Sequence, residues 1–184
     1  MPMRVISGTA GGLLLKSPKR HALRPTQDRI RQVTFSSLAE RVVGARVLDL
    51  FAGTGSFGIE ALSRGAESAV FVEKDAEAAQ CIRANLEHCR LKGEVRHEDV
   101  HTWLVRAGAG NLFDLIFADP PYIKEKGSLE RDLPLVKVGP LLAPDGLLVW
   151  EHYAEREVNV PEGWEIVRHR TYGETGLTFL RKNS

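Results

Sequence analysis

The run Leu115-Ile116-Phe117-Ala118, followed at once by Asp119-Pro120-Pro121-Tyr122, constrains the architecture of this chain more than any other stretch. Apolar residues bounded by paired prolines read as a buried parallel strand that ends abruptly. The tetrapeptide then lies at the carboxyl edge of a sheet, where open α/β folds place their ligands. Pro120 and Pro121 fix φ and carry no N–H, so the loop leaves the strand stiffly, with carbonyl acceptors to offer. An acceptor carboxylate, a rigid carbonyl and a flat aromatic face suit a planar base that bears an exocyclic amine.

The rest of the chain agrees with that placement. Met3–Ser7 and Leu13–Lys16 flank a glycine-containing turn and read as a short hairpin or two edge strands, and Thr26 can cap a helix to about Val42 with Ile30, Val33, Phe35 and Leu38 facing inward. From Arg46 strands and helices alternate. Expected strands are Val47–Phe51, Ala69–Glu73, Glu94–His97, Phe113–Asp119 and Leu147–Glu151. Expected helices are Ser56–Ser63 (ended by Gly65), Ala76–Cys89, Val100–Ala107 and Leu129–Leu141. Glu165–Arg170 and Thr175–Arg181 close the chain as an antiparallel pair. The fold class is α/β, a Rossmann-like, mostly parallel sheet with right-handed crossovers. At 184 residues one domain suffices, with residues 1–44 as an extension packed on it.

The first strand runs into Asp49-Leu50-Phe51-Ala52-Gly53-Thr54-Gly55-Ser56-Phe57-Gly58, whose glycines let a ligand approach the backbone. Glu73, at the end of the second strand, can accept both hydroxyls of a ribose. An NAD-dependent oxidoreductase would show the same features. Asp49 argues for another cofactor, because a carboxylate at the mouth of the first strand repels a pyrophosphate and attracts a cation. S-adenosylmethionine carries an ammonium, a sulfonium, a ribose and an adenine. Asp99 ends the third strand and can accept the adenine amine beside the Val100 N–H, or cap the next helix; the two roles are compatible.

Charge is unevenly spread. Arg4, Lys16, Lys19, Arg20, Arg24, Arg29 and Arg31 stand against Asp28 alone in residues 1–31, a local balance of +6 in a chain of net +1. A basic arm on an acidic body points to a polyanionic partner. No apolar run approaches a membrane span, and Cys81 and Cys89 form no CxxC pair or metal-ligand set, so a cytoplasmic protein with free thiols and no metal is expected.

Together, Asp49-x-Phe51-x-Gly53-x-Gly55, Glu73, Asp99 and Asp119-Pro120-Pro121-Tyr122 resemble the class I S-adenosylmethionine-dependent methyltransferases. Arg4-Val5-Ile6-Ser7-Gly8 and Leu23-Arg24-Pro25-Thr26-x-Asp28-Arg29-Ile30-Arg31 narrow the resemblance to the RsmD family, and Tyr172-Gly173-Glu174-Thr175 extends it almost to the end. The chain departs from that family's pattern at Thr9-Ala10-Gly11-Gly12-Leu13 and at Gln32. The resemblance implies methyl transfer to the exocyclic N2 of a guanine in small-subunit (16S) ribosomal RNA, carried in an assembled or assembling particle, by a monomer. The expected catalytic residues are Asp119, Pro120, Pro121 and Tyr122. Asp49, Phe51, Gly53, Gly55, Glu73, Lys74, Asp99, Val100 and Asp119 are expected to bind the cofactor, and Lys16, Lys19, Arg20, Arg24, Arg29 and Arg31 the RNA. An adenine-N6 methyltransferase acting on DNA or RNA fits the same tetrapeptide, although so short a chain has no separate domain for reading DNA sequence. A catalytically silent RNA-binding assembly factor is the third reading.

Overall fold

The computed structural model describes residues 3–18, 26–107, 110, 112–121 and 133–183. Seven strands form one sheet: β1 (Arg46–Leu50), β2 (Ser68–Glu73), β3 (Glu94–His97), β4 (Phe113–Ala118), β5 (Leu142–Tyr153), β6 (Trp164–Tyr172) and β7 (Thr175–Lys182). Their spatial order is β3-β2-β1-β4-β5-β7-β6. The first five pair in parallel, and β7 inserts antiparallel between β5 and β6. Strand order reverses between β1 and β4, where Asp49 lies opposite Phe117 and Leu50 opposite Ala118. That switch point opens a crevice at the carboxyl ends of β1 and β4.

Among the described residues the α-helices are α1 (Thr26–Leu38), α2 (Ser56–Ser63), α3 (Ala76–His88), α4 (Val100–Arg106) and α5 (Leu135–Val138). Successive strand residues feed opposite faces of the sheet. Val47, Phe71, Phe117, Val149 and Phe179 pack with Val5, Leu15, Ile30, Phe35 and Leu38 on one side. Leu48, Leu50, Ile116 and Trp150 pack with Val100, Leu104, Leu135 and Val138 on the other.

Several elements differ from expectation, each for a local reason. The first helix tightens into a 3-10 turn, Ala39–Val42, where Ala39 takes φ 48°. Residues 3–16 make one isolated bridge, Arg4 with Leu14, instead of a regular hairpin or two edge strands. β1 ends one residue early because Phe51 turns the chain with φ 58°. Of the long helix expected before β5, Pro134 starts a single turn and a 3-10 turn follows at Gly139–Leu141; residues 129–132 lie outside the described residues. β5 starts earlier than expected, and its register against β4 shifts between Phe113 and Leu115.

The N-terminal segment is held by side chains of the helices beneath it. The fully buried Glu60 accepts the backbone N–H groups of Ile6 (2.7 Å) and Ser7 (3.0 Å) and an Arg64 Nε–H at 2.7 Å. Ser63 donates to the Ser7 carbonyl at 2.6 Å and accepts from Ala10 N at 2.9 Å. Gly8, with φ 86°, passes so close that a Cβ there would lie 1.8 Å from the Ser63 carbonyl oxygen. Asn85 grips Lys16 through both backbone groups and also donates to the Thr54 carbonyl (3.1 Å), tying this segment to the glycine loop.

Candidate active site

β1 delivers Asp49 to the base of the crevice, 3% exposed, where its Oδ2 accepts the Gly58 N–H at 2.9 Å. Gly58 lies in the first turn of α2, whose N-cap Gly55 has no side chain to offer, so Asp49 takes over that capping role from the strand. Burial pushes the Asp49 carboxyl up to about 8; the Gly58 bond opposes the rise and the charge of Glu73 adds to it. Asp49 is therefore a poised acid that a bound cation would ionise.

This carries a pH consequence. A folded-state value above the unfolded one means that the native protein holds a proton the unfolded chain has lost, so the Asp49 contribution is full below about pH 4 and disappears as pH rises through about 8. Asp49→Asn is expected to gain stability relative to wild type across that window, on the order of a few kcal/mol at its upper end. Thermal melts of both proteins at pH 5 and pH 9 measure it; parallel melting temperatures at the two values would refute the assignment.

The glycine loop turns on Gly53 (φ 55°) and Gly55 (φ 75°). A Cβ on Gly55 would press against Ile82 at 3.1 Å, so α3 closes on the loop there. Glu73 fastens the same loop from β2: one oxygen accepts Gly53 N at 2.7 Å and the other Asp75 N at 2.8 Å. Those two bonds leave each oxygen a further lone pair. Beyond β3, Asp99 caps α4 by accepting His101 N (3.0 Å) and Thr102 N (3.1 Å), both on Oδ1. Phe51 meets the His101 ring edge-on and packs against the face of the sheet that holds Val100. Lys74 is exposed, and its carbonyl meets His97 Nε2 at 3.1 Å.

Asp119 leaves β4 half-buried, followed by buried Pro120 and exposed Pro121. It lines a narrow cleft together with Asp49, Phe57, Phe117, Glu151 and Leu177. Phe57 stands between Phe117 (5.2 Å) and Phe35 of α1 (6.3 Å), so the N-terminal helix packs behind one wall of this cleft. Tyr122, Lys19, Arg20 and Arg24 lie outside the described residues. Lys16 and Arg29 are exposed, with the Arg29 guanidinium 5.8 Å from the Tyr172 ring centre.

Arg31 corrects the sequence reading. It is only 1% exposed, bonded to the Arg4 carbonyl and to Asp28 (2.8 Å), and 4.0 Å from Glu60. A side chain so enclosed cannot meet an RNA phosphate; it fastens the extension. His152 points away from the cleft, bonded to the Tyr153 carbonyl (2.9 Å) and Thr178 (2.8 Å). Glu151, Glu60 and Asn85 were absent from the sequence-based site, because no motif marks them.

The donor set fits S-adenosylmethionine. Asp49, Glu73 and Asp99 offer carboxylates of the kind that an ammonium, a ribose and an adenine amine would each meet, whereas a pyrophosphate would meet negative charge without a counter-charge. A family model described as "Conserved hypothetical protein 95" matches residues 3–181. Ribosomal RNA small subunit methyltransferase D of Escherichia coli is 32% identical over 183 residues, covering 99% of this chain and 91% of that protein. The chain belongs to the RsmD family. YlbH of Bacillus subtilis is 39% identical over 98% of this chain and 99% of its own length. The solved structure of yhhF from Escherichia coli superposes with a TM-score of 0.85 at 31% identity, covering 100% of this chain and 99% of the other. This RsmD-family chain is a methyltransferase that uses S-adenosylmethionine. Among the described residues no helix is long and apolar enough to cross a membrane.

Proposed function

We propose that this RsmD-family enzyme methylates the exocyclic N2 of a guanine in small-subunit ribosomal RNA. The carrying observation is Asp119, set by the β1–β4 register beside the glycine loop and followed by Pro120, whose carbonyl is restrained by the next proline. The substrate class follows the printed name of the Escherichia coli relative. The enzyme acts in the cytoplasm as a monomer on an assembled or assembling particle, structured RNA being recognised largely through its shape.

The cofactor, when bound, supplies a sulfonium methyl whose carbon accepts a lone pair as sulfur takes back the bonding pair. In this reading Asp49 faces the cofactor ammonium and Glu73 its ribose hydroxyls. Oδ2 of Asp99, which takes no part in the helix cap, receives the adenine amine beside Phe51 and the Val100 N–H. The Gly53 and Gly55 backbone lies against the amino-acid end, and Lys74 borders the ribose. Asp119 and the Pro120 carbonyl accept the two N2–H bonds of a base swung out of its RNA stack, with Tyr122 against its face. Held this way, the N2 lone pair is turned toward the methyl carbon; such positioning contributes within the ~7–11 kcal/mol available to aligned reactants. The Asp119 carboxylate stabilises the positive charge that grows on nitrogen and stands ready to receive the proton it sheds. Lys16, Lys19, Arg20, Arg24 and Arg29 meet phosphates.

Nucleoside mass spectrometry of ribosomal RNA from cells with and without the gene tests the reading. Loss of N2-methylguanosine from the small subunit is expected; loss of N6-methyladenosine instead would transfer the enzyme to the adenine class. Glu73→Ala is expected to weaken cofactor binding by about 1.5–3 kcal/mol, the worth of a charged hydrogen-bond acceptor. Turnover at saturating cofactor should largely survive. Calorimetry decides, and an unchanged affinity would show that another residue holds the ribose.

A further inference from the structure

Glu151 has no part in the reading above, yet it shares the cleft with Asp119. β4 and β5 are aligned so that Ala118 faces Trp150, which makes Asp119 and Glu151 neighbours at adjacent strand ends. Both continue the face that carries Phe117 and Val149, and both line the cleft. Glu151 is 6% exposed. A donor that reaches it there meets a carboxylate largely withdrawn from water, which strengthens the bond.

The Watson–Crick edges of the two purines that this tetrapeptide can hold differ next to the amine. In guanine the N2 amine adjoins N1–H, a second donor pointing the same way. In adenine the N6 amine adjoins N1, a bare lone pair. A second carboxylate beside Asp119 completes the pairing with guanine and repels adenine.

We propose that Glu151 accepts the N1–H of the target guanine and is the residue that selects guanine over adenine at this site. The inference rests on the guanine-N2 reading and adds to it the group that reads the base. Sites built to bond a polar group of the substrate discriminate steeply against analogues that lack it, and a bare N1 lone pair facing a carboxylate is repelled as well.

2-Aminopurine separates the two interactions, since it keeps the N2 amine and has no proton on N1. Small-subunit ribosomal RNA is ligated with guanine or 2-aminopurine at the methylated position and assayed in single turnover. Wild type is expected to prefer guanine by about a hundredfold or more in kcat/KM. Glu151→Gln should lose roughly tenfold or more on guanine and gain on 2-aminopurine, because its amide N–H can donate to N1. The preference then collapses while cofactor affinity stays within about threefold of wild type. Equal rates of wild type on both RNAs would overturn the proposal without any variant. So would a Glu151→Gln enzyme that keeps the full preference, or one whose only loss is cofactor affinity. Failure of wild type to methylate the guanine RNA at all would instead overturn the guanine-N2 reading.

Discussion

Replacing Asp119 with alanine is expected to lower the rate of methyl transfer by roughly 10²–10³-fold while changing S-adenosylmethionine affinity only a few-fold. Asp119 sits at the end of β4, on the cleft, whereas the carboxylates proposed for the cofactor come from β1, β2 and the β3–α4 junction. Its loss removes one of the two acceptors that orient the amine, together with the negative charge that offsets the developing positive one. Both interactions strengthen toward the transition state, so kcat falls along with kcat/KM. Asp119→Asn keeps an acceptor oxygen without the charge and should fall between the two. Single-turnover rates at saturating cofactor, paired with calorimetry, make the comparison. An alanine variant turning over near the wild-type rate would remove Asp119 from the chemistry.

The largest effect on stability is expected at Glu60. Glu60→Ala strips the acceptor from Ile6 N and Ser7 N and leaves Arg31 buried with one fewer counter-charge. Burial already holds the Arg31 guanidinium below its usual range, with Asp28 first and Glu60 next opposing that shift. Among the described residues its Nε and Nη1 find no hydrogen-bond partner. Breaking a buried ion pair from one side costs about 3–5 kcal/mol. For a domain of this size that corresponds to a melting temperature lower by roughly 6–20 °C. A companion Arg31→Met change in the Glu60→Ala background should recover part of the loss, since no buried cation then remains. Melting curves that coincide for wild type and Glu60→Ala would show that the N-terminal segment is held by other contacts.

The two expectations fall on different kinds of residue. Asp119 was legible because its neighbours announce it: an apolar run needs burial on both faces, and two prolines end a strand wherever they occur. The same locality exposed Gly53 and Gly55, Glu73 at a strand end, and Asp99 before a helix. These features follow from backbone sterics and hydrophobic period, which act within a few residues. The parallel sheet could be expected from the alternation and the antiparallel tail from the turn at Tyr172-Gly173-Glu174, whereas the order of the strands came from the structure.

What only the tertiary structure decided depends on partners far apart in the chain. Glu60 reads as an ordinary helical acid until Ile6 and Ser7, more than fifty residues away, are found bonded to it. Asn85 acquires its role from Lys16, 69 positions earlier. Charge counting placed Arg31 on an RNA-facing arm, because a formal charge carries no information about burial; packing of α1 against α2 turned it inward. Glu151 became visible only when the β4–β5 register set it beside Asp119. By itself the sequence determined the alternation of elements, the glycine loop and the acceptor at the sheet edge, since each is dictated by short-range conformational preference. The enclosure of Arg31, the anchoring of the extension and the pairing of two carboxylates were decided by the fold, because burial and desolvation exist only after distant segments have closed over one another.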